Sequence, residues 1–145
     1  MYRLVGFTGT AKGATDFQLR SLARWVRTRQ IIQFHHGMCV GADEQAHHLI
    51  REEKPETYIH GHPPIDKKAF ADVKVDVLWD EDDYLARDRD IVHAVHEMIA
   101  MPKGYKEERR GGTWYTIRFA LSEFIPVTII WPDGGLKRVR SRAQL

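Results

Sequence analysis

The sequence predicts an α/β fold: one open, mostly parallel β-sheet with helices on both of its faces. Strand-like apolar runs and helix-like periodic segments alternate from end to end, the pattern that right-handed βαβ crossovers leave in a sequence. The chain has 145 residues, 43% hydrophobic and 29% charged. That length suits one domain whose core is large enough to fold without a metal or disulfide staple.

Leu4-Val5-Gly6-Phe7 is a short apolar run ended by Thr8-Gly9-Thr10, which predicts a buried first strand and a turn. Thr15 and Gln18 have capping-box spacing, and Leu19, Leu22, Ala23 and Val26 follow at helical intervals. An amphipathic helix is expected there. Ile31-Ile32-Gln33-Phe34 begins a second strand that stops at His36-Gly37. Ala46, Leu49 and Ile50 share a stripe on a second helix starting near Asp43. Thr57-Tyr58-Ile59 is a short third strand, broken by Gly61 and Pro63-Pro64. The alternation Val73, Val75, Val77, Trp79 predicts a half-buried strand at a sheet edge. Ile91, Val92 and Val95 mark a third helix, and Met98 to Met101 is a buried strand stopped by Pro102. Gly111-Gly112-Thr113 opens a fourth helix carrying Ile117, Ala120, Leu121 and Phe124, and Val127 to Trp131 is the last strand. Residues 1–133 form the expected single domain.

Composition removes several classes of function. The lone Cys39 excludes an internal disulfide and suits a reducing, cytoplasmic setting. No apolar run approaches the roughly 20 residues that span a bilayer, so no membrane partner is expected. The net charge is +2, but Lys137, Arg138, Arg140 and Arg142 lie at the end, and the rest of the chain carries −2. Residues 134–145 are therefore expected as a solvated basic tail, and the body is not one that coats nucleic acid.

In an open parallel sheet, ligands bind beyond the carboxyl ends of the strands. Three connections there are glycine-rich: Thr8 to Gly13, His36 to Gly41, and Gly104 to Thr113. Each precedes a helix, so each can aim backbone N–H groups and a positive dipole end at an anion. Their convergence predicts a phosphate-bearing ligand, with Thr8, Thr10 and Thr113 as hydroxyl donors. The first turn matches neither the dinucleotide fingerprint nor the nucleotide-triphosphate loop, which removes NAD chemistry and ATP hydrolysis. His36 and His47 flank the second turn and are placed either to bond a sugar or base or to pack as neutral core histidines. Asp43 is either a helix cap or a ligand contact.

Three blocks of the sequence resemble a known group. His36-Gly37-Met38-Cys39-Val40-Gly41-Ala42-Asp43 followed by Ala46-His47, then Arg87-Asp88-Arg89-Asp90-Ile91, then Gly112-Thr113-Trp114-Tyr115-Thr116 with Ala120 and Pro126-Val127, occur in order. They are similar to segments of DNA-processing protein A and its relatives in the SLOG superfamily of Rossmann-like domains, over residues 4–132. The resemblance implies that Thr8, Gly9, Thr10, Gly37, Gly41, Gly111, Gly112 and Thr113 surround a phosphate or phosphoribosyl group. It further implies phosphate contacts from Arg87 and Arg89, which sit two apart and reach one ligand together only from a loop or a first helical turn. Lys12 stands near a position where relatives carry arginine, and it supplies a point charge without a planar fork. The cytokinin-activating phosphoribohydrolases of the same superfamily, also called lysine decarboxylase-like, place a catalytic glutamate where this chain has Thr116. A threonine does not replace a carboxylate in glycosidic chemistry. Asp43, Glu44 or Glu97 are the remaining candidates for such a role.

The expected function is therefore binding of a nucleotide or nucleotide-derived small molecule, for sensing or sequestration. The alternatives are an N-glycosidic hydrolase or transferase acting on nucleoside monophosphates, and single-stranded DNA binding. The superfamily resemblance implies a homodimer. Eight histidines are present, but only His93 and His96 have helix-face spacing, so no metal and no cofactor is expected. His60 to Pro64 is expected to rim the cleft. Trp114 and Tyr115 are placed either for stacking on a base or for core and interface packing, while Trp25, Trp79 and Trp131 are expected in the core or at an edge.

Overall fold

A computed structural model describes residues 2–145. Its seven-stranded sheet has the order β4-β3-β2-β1-β5-β6-β7. The elements are β1 (Tyr2–Gly9), α1 (Asp16–Arg27), β2 (Gln30–His36), α2 (Ala42–Glu53), β3 (Tyr58–Gly61), β4 (Val77–Leu78), α3 (Tyr84–His93), β5 (Glu97–Met101), α4 (Gly112–Ser122), β6 (Val127–Ile130) and β7 (Leu136–Val139). Every pairing is parallel except the one between β6 and β7.

Two cores sandwich the sheet because its central strands are apolar on both sides. Ile99 and Met101 of β5 pack with Leu22, Val26, Ala46 and Ile50 from α1 and α2. Met98 and Ala100 of the same strand pack with Ile91, Val92, Ile117 and Leu121 from α3 and α4. Alternation along one strand thus feeds opposite faces, as period-two geometry requires.

The local signals act as the sequence indicates in α1. Thr15 accepts from the Gln18 N–H while the Gln18 side chain accepts from the Thr15 N–H, closing the capping box. The buried Gln18 amide also donates to the carbonyls of Pro102 and Ile130, tying α1 to the ends of β5 and β6.

Phe124, expected on the fourth helix, lies beyond its end at Ser122 and is 90% exposed, and three segments also differ from expectation. Of the stretch from Val73 to Trp79, only Val77–Leu78 pairs as a strand, while Val73 folds back with Ala71 against Met38. The third helix begins at Tyr84, capped by Asp83, and ends before Val95. The basic end is not a solvated tail. Residues Leu136–Val139 form the antiparallel edge strand β7, with Val139 fully buried and Arg138 hydrogen-bonded to Glu97 at 3.4 Å. A turn of 3-10 helix, Arg142–Gln144, follows.

The chain winds outward from β1 through β2 and β3 to β4, then returns to β5 on the other side of β1. The first connections from β1 and β5 therefore diverge, and a crevice opens between them. That is the switch point at which such sheets accommodate ligands.

Candidate functional site

A cavity of about 350 Å³ occupies this switch point. The end of β1 contributes Thr8 and Gly9 and the first turn after it Thr10 and Lys12; the second turn contributes Gly37, Cys39 and Asp43; the third contributes Gly111, Gly112 and Thr113. Arg87 and Asp88 come from α3, Pro102 and Lys103 from the end of β5, and Arg110 from the approach to α4.

The three turns do not play equal parts. In the second turn most backbone donors are already used. The N–H groups of Gly37 and Cys39 donate to Asp43 Oδ2 at 3.1 and 3.3 Å, that of Val40 to the Ala69 carbonyl, and that of Ala42 to the Thr10 carbonyl. The amides of Gly37, Met38, Cys39, Val40 and Ala42 are thus engaged by the protein itself, while those of Gly41 and of Asp43 and Glu44 at the start of α2 find no acceptor among the described residues. Gly41 closes the turn at φ +86, where an added Cβ would strike the Ala11 carbonyl, so it serves close packing of the first two turns and does not line the cavity.

The third turn is different. Gly111 has φ +103 and precedes α4 with no side-chain cap. The N–H groups of Gly112, Thr113 and Trp114 find no acceptor among the described residues, and the first backbone bond of the helix is Tyr115 N–H to the Gly111 carbonyl at 3.2 Å. Unpartnered amides here coincide with the positive end of the helix dipole. In the first turn, Lys12 N–H bends back to Thr10 Oγ1 and Gly13 N–H to the Thr10 carbonyl.

Below these groups lies a buried ionic cluster. The Arg87 guanidinium donates from Nε to Asp88 at 2.7 Å, from Nη1 to the carbonyls of Gly37 and His62, and from Nη2 to Cys39 Sγ. Four of its five N–H donors are consumed in this way. Arg87 is therefore chiefly the clamp that holds the second turn to α3. Asp88 and Asp43 flank it, both buried. Burial pushes the Asp43 carboxyl up to about 7, against the opposing pull of Arg87. Burial also raises Asp88, again opposed by Arg87. The Cys39 thiol is pushed up to about 11 by burial and by Asp43, so it is no thiolate nucleophile near neutrality.

The remaining predicted positions lie elsewhere. His36 is fully buried beneath the second turn, accepting at Nδ1 from Met38 N–H and facing His47 Nδ1 at 3.0 Å. Its Nε2 must then carry the proton, and burial lowers its pKa to about 3. Arg89, on the other side of α3, donates to the Tyr115 hydroxyl at 3.0 Å. The segment is regular helix, so the two arginines diverge as helical geometry dictates. Thr116 is buried and returns its hydroxyl to the Gly112 carbonyl at 2.8 Å, bracing the start of α4. Glu97 begins β5 at the far end of the sheet, about 16 Å of strand from Pro102. There it pairs with Arg3 at 2.5 Å and with Arg138. His60 and His62 belong to a separate stack with His35 and Trp79. Glu44 is half-buried and does not line the cavity.

Two features escaped the sequence reading. Asp88 reads in sequence as a surface partner for Arg87, and nothing in its pattern announces that both are buried. Lys103, Tyr84 and Arg110 enter the cavity only because the sheet order brings their loops together. No group of three or more metal-ligating side chains is found among the described residues, and no helix there is long and apolar enough to cross a membrane.

Two solved structures have a similar fold. The X-ray structure of TM1055, a structural genomics target, is 19% identical over 86% of this chain and 72% of its own, with a TM-score of 0.64. The structure of the molybdenum cofactor binding protein from the phototrophic bacterium Rippkaea orientalis is 20% identical over 90% of this chain and 77% of its own, with a TM-score of 0.66. No family model and no curated protein matches the chain. These likenesses agree with the sheet order in showing a Rossmann-like α/β fold.

Proposed function

We propose that the cavity binds a phosphorylated small molecule, a nucleotide or nucleotide-derived compound, and holds it for sensing or sequestration. The observation that carries this reading is the row of unpartnered N–H groups on Gly112, Thr113 and Trp114 at the edge of a 350 Å³ cavity. Three adjacent amides at a helix start form a ready anion site, and Lys12, Lys103 and Arg110 add positive charge around it. The hydroxyls of Thr8, Thr10 and Thr113 stand on the same walls. The volume falls in the range of small-molecule sites, roughly 300–1,000 Å³. A protein of this fold that binds a small-molecule cofactor agrees with a holding role. The resemblance to SLOG domains points the same way, since its third block, from Gly112 to Thr116, coincides with the free amides.

Isothermal titration of nucleoside 5′-monophosphates, ribose 5-phosphate and the parent nucleosides tests this, supported by native mass spectrometry for a co-purified ligand. The phosphorylated compounds should bind at least about tenfold more tightly than the nucleosides, with affinity falling as salt rises. Equal affinity for nucleoside and monophosphate would remove the phosphate reading.

A second reading is favoured by one observation, the two buried carboxylates beside the anion site. Asp43, with a pKa near 7, has the character of a general acid, and Asp88 stands ready to stabilise positive charge on a sugar ring. Hydrolysis of the N-glycosidic bond of a nucleoside monophosphate is the chemistry such a pair serves. Release of free base and ribose 5-phosphate by the intact chain, lost in Asp88→Asn, would establish it; no release leaves the binding reading.

A further inference from the structure

Behind the first turn of α4 lies a second cavity, about 280 Å³, that shares only Trp114 with the first. Trp114 is 3% exposed, and its indole Nε1 is the one buried side-chain nitrogen or oxygen among the described residues without a hydrogen-bond partner. Buried donors are almost always paired, so an orphan on a residue that borders both cavities calls for an acceptor from outside the chain. Tyr105 and Trp131 border the same space with rings 24° from parallel and centroids 6.1 Å apart, and Trp131 lies 6.3 Å from Trp114. A planar ring inserted between two others needs about 7 Å, twice a carbon contact of roughly 3.5 Å, so Tyr105 must yield by about 1 Å. It is free to do so, being 58% exposed on the irregular chain before α4. Lys106 and Lys137 border the cavity and take part in no ion pair among the described residues.

We propose that this cavity binds a planar heteroaromatic anion. Its ring enters between Tyr105 and Trp131, a carbonyl or ring nitrogen accepts from Trp114 Nε1–H, and its negative group faces Lys106 and Lys137. The site is independent of the phosphate reading, because its occupant needs no phosphate and uses neither Lys12 nor the amide of Gly112.

Orotate and dihydroorotate form a matched pair of probes, alike in charge and carbonyl groups but differing in planarity. Titration calorimetry on the intact chain should show orotate binding at least about fivefold more tightly than dihydroorotate, with a similar loss in Tyr105→Ala and Trp114→Phe. The Trp114 indole N–H resonance of the unaltered chain should move as orotate is added, which decides the matter even where a variant fails to fold. Absence of orotate binding, equal affinity for the two compounds, or a stationary indole resonance overturns the proposal. Ribose 5-phosphate affinity should be unchanged in Tyr105→Ala; an equal loss for both ligands would refute a separate site.

Discussion

Asp43 and the histidines around it show how burial converts ordinary residues into groups with opposite responses to acid. Asp43 keeps its proton up to about pH 7 in the folded chain but only to about pH 4 when unfolded. The folded state binds more protons in that interval, so this contribution to stability is complete below about pH 4 and is lost as pH rises to about 7. Raised Asp88 acts in the same direction. His35, His36 and His62 do the reverse: burial holds them neutral down to about 3, 3 and 2. Their contribution is present above their unfolded value of about 6.5 and is lost as pH falls through and below it. The hydrogen bonds explain why they resist charging. His35 Nε2–H donates to Gln33 Oε1, so its Nδ1 accepts from His62, and a second proton there would face a donor. Three histidines outweigh two carboxyls, so stability should fall on acidification below about pH 6.5. Asp43→Asn removes one opposing contribution, so the unfolding free energy from urea titrations should fall more steeply with acid between about pH 7 and 4, by up to about 1 kcal/mol per pH unit. Identical slopes would show that Asp43 is not held protonated. The sequence displays these residues but not their burial, which arises from contacts between β2, β3, α2 and α3; Asp88 was invisible for the same reason.

Among the elements, those with a strong period or a cap are the ones legible in the sequence. α1 announces itself through Thr15, Gln18 and its apolar stripe. α3 is harder to see, because Arg87 and Asp88 occupy buried positions and interrupt the stripe, leaving Ile91 and Val92 as the signal. β7 offers almost none: of Leu136, Lys137, Arg138 and Val139, only the last is buried. It is a strand because β6 offers an open edge and the turn at Asp133 to Gly135 reverses the chain onto it. Val139 joins the core beside α4, and Arg138 gives Glu97 its second cation. Deleting residues 134–145 should therefore cost at least about 2 kcal/mol, read as a lower midpoint in thermal or urea unfolding. A dispensable tail would leave the midpoint unchanged.

For the molecule as a whole, topology decides what the individual turns become. The alternation of strands and helices foretells a doubly wound sheet, and the sheet order sets β1 beside β5 with their connections diverging. The sequence shows three glycine-rich turns that look equivalent. Folding makes them unequal: the second spends the amides of Gly37 and Cys39 on Asp43 and is clamped by Arg87, while the third leaves those of Gly112, Thr113 and Trp114 unpartnered among the described residues. That difference depends on side chains from other parts of the chain and has no local signature. Phosphate binding would depend on those amides, and Gly112 allows one of them to be tested singly. A Cβ there would sit 3.6 Å from Asp88 Oδ2, an ordinary contact, so Gly112→Ala keeps both space and N–H. Gly112 is the first residue of α4, a position that tolerates proline, so Gly112→Pro deletes the N–H while preserving the helix. The decisive measurement is the affinity of the two variants for a nucleoside 5′-monophosphate by titration calorimetry. The alanine variant should stay within about threefold of the unaltered chain and the proline variant should bind at least about tenfold more weakly; equal affinities in a folded proline variant would contradict the account.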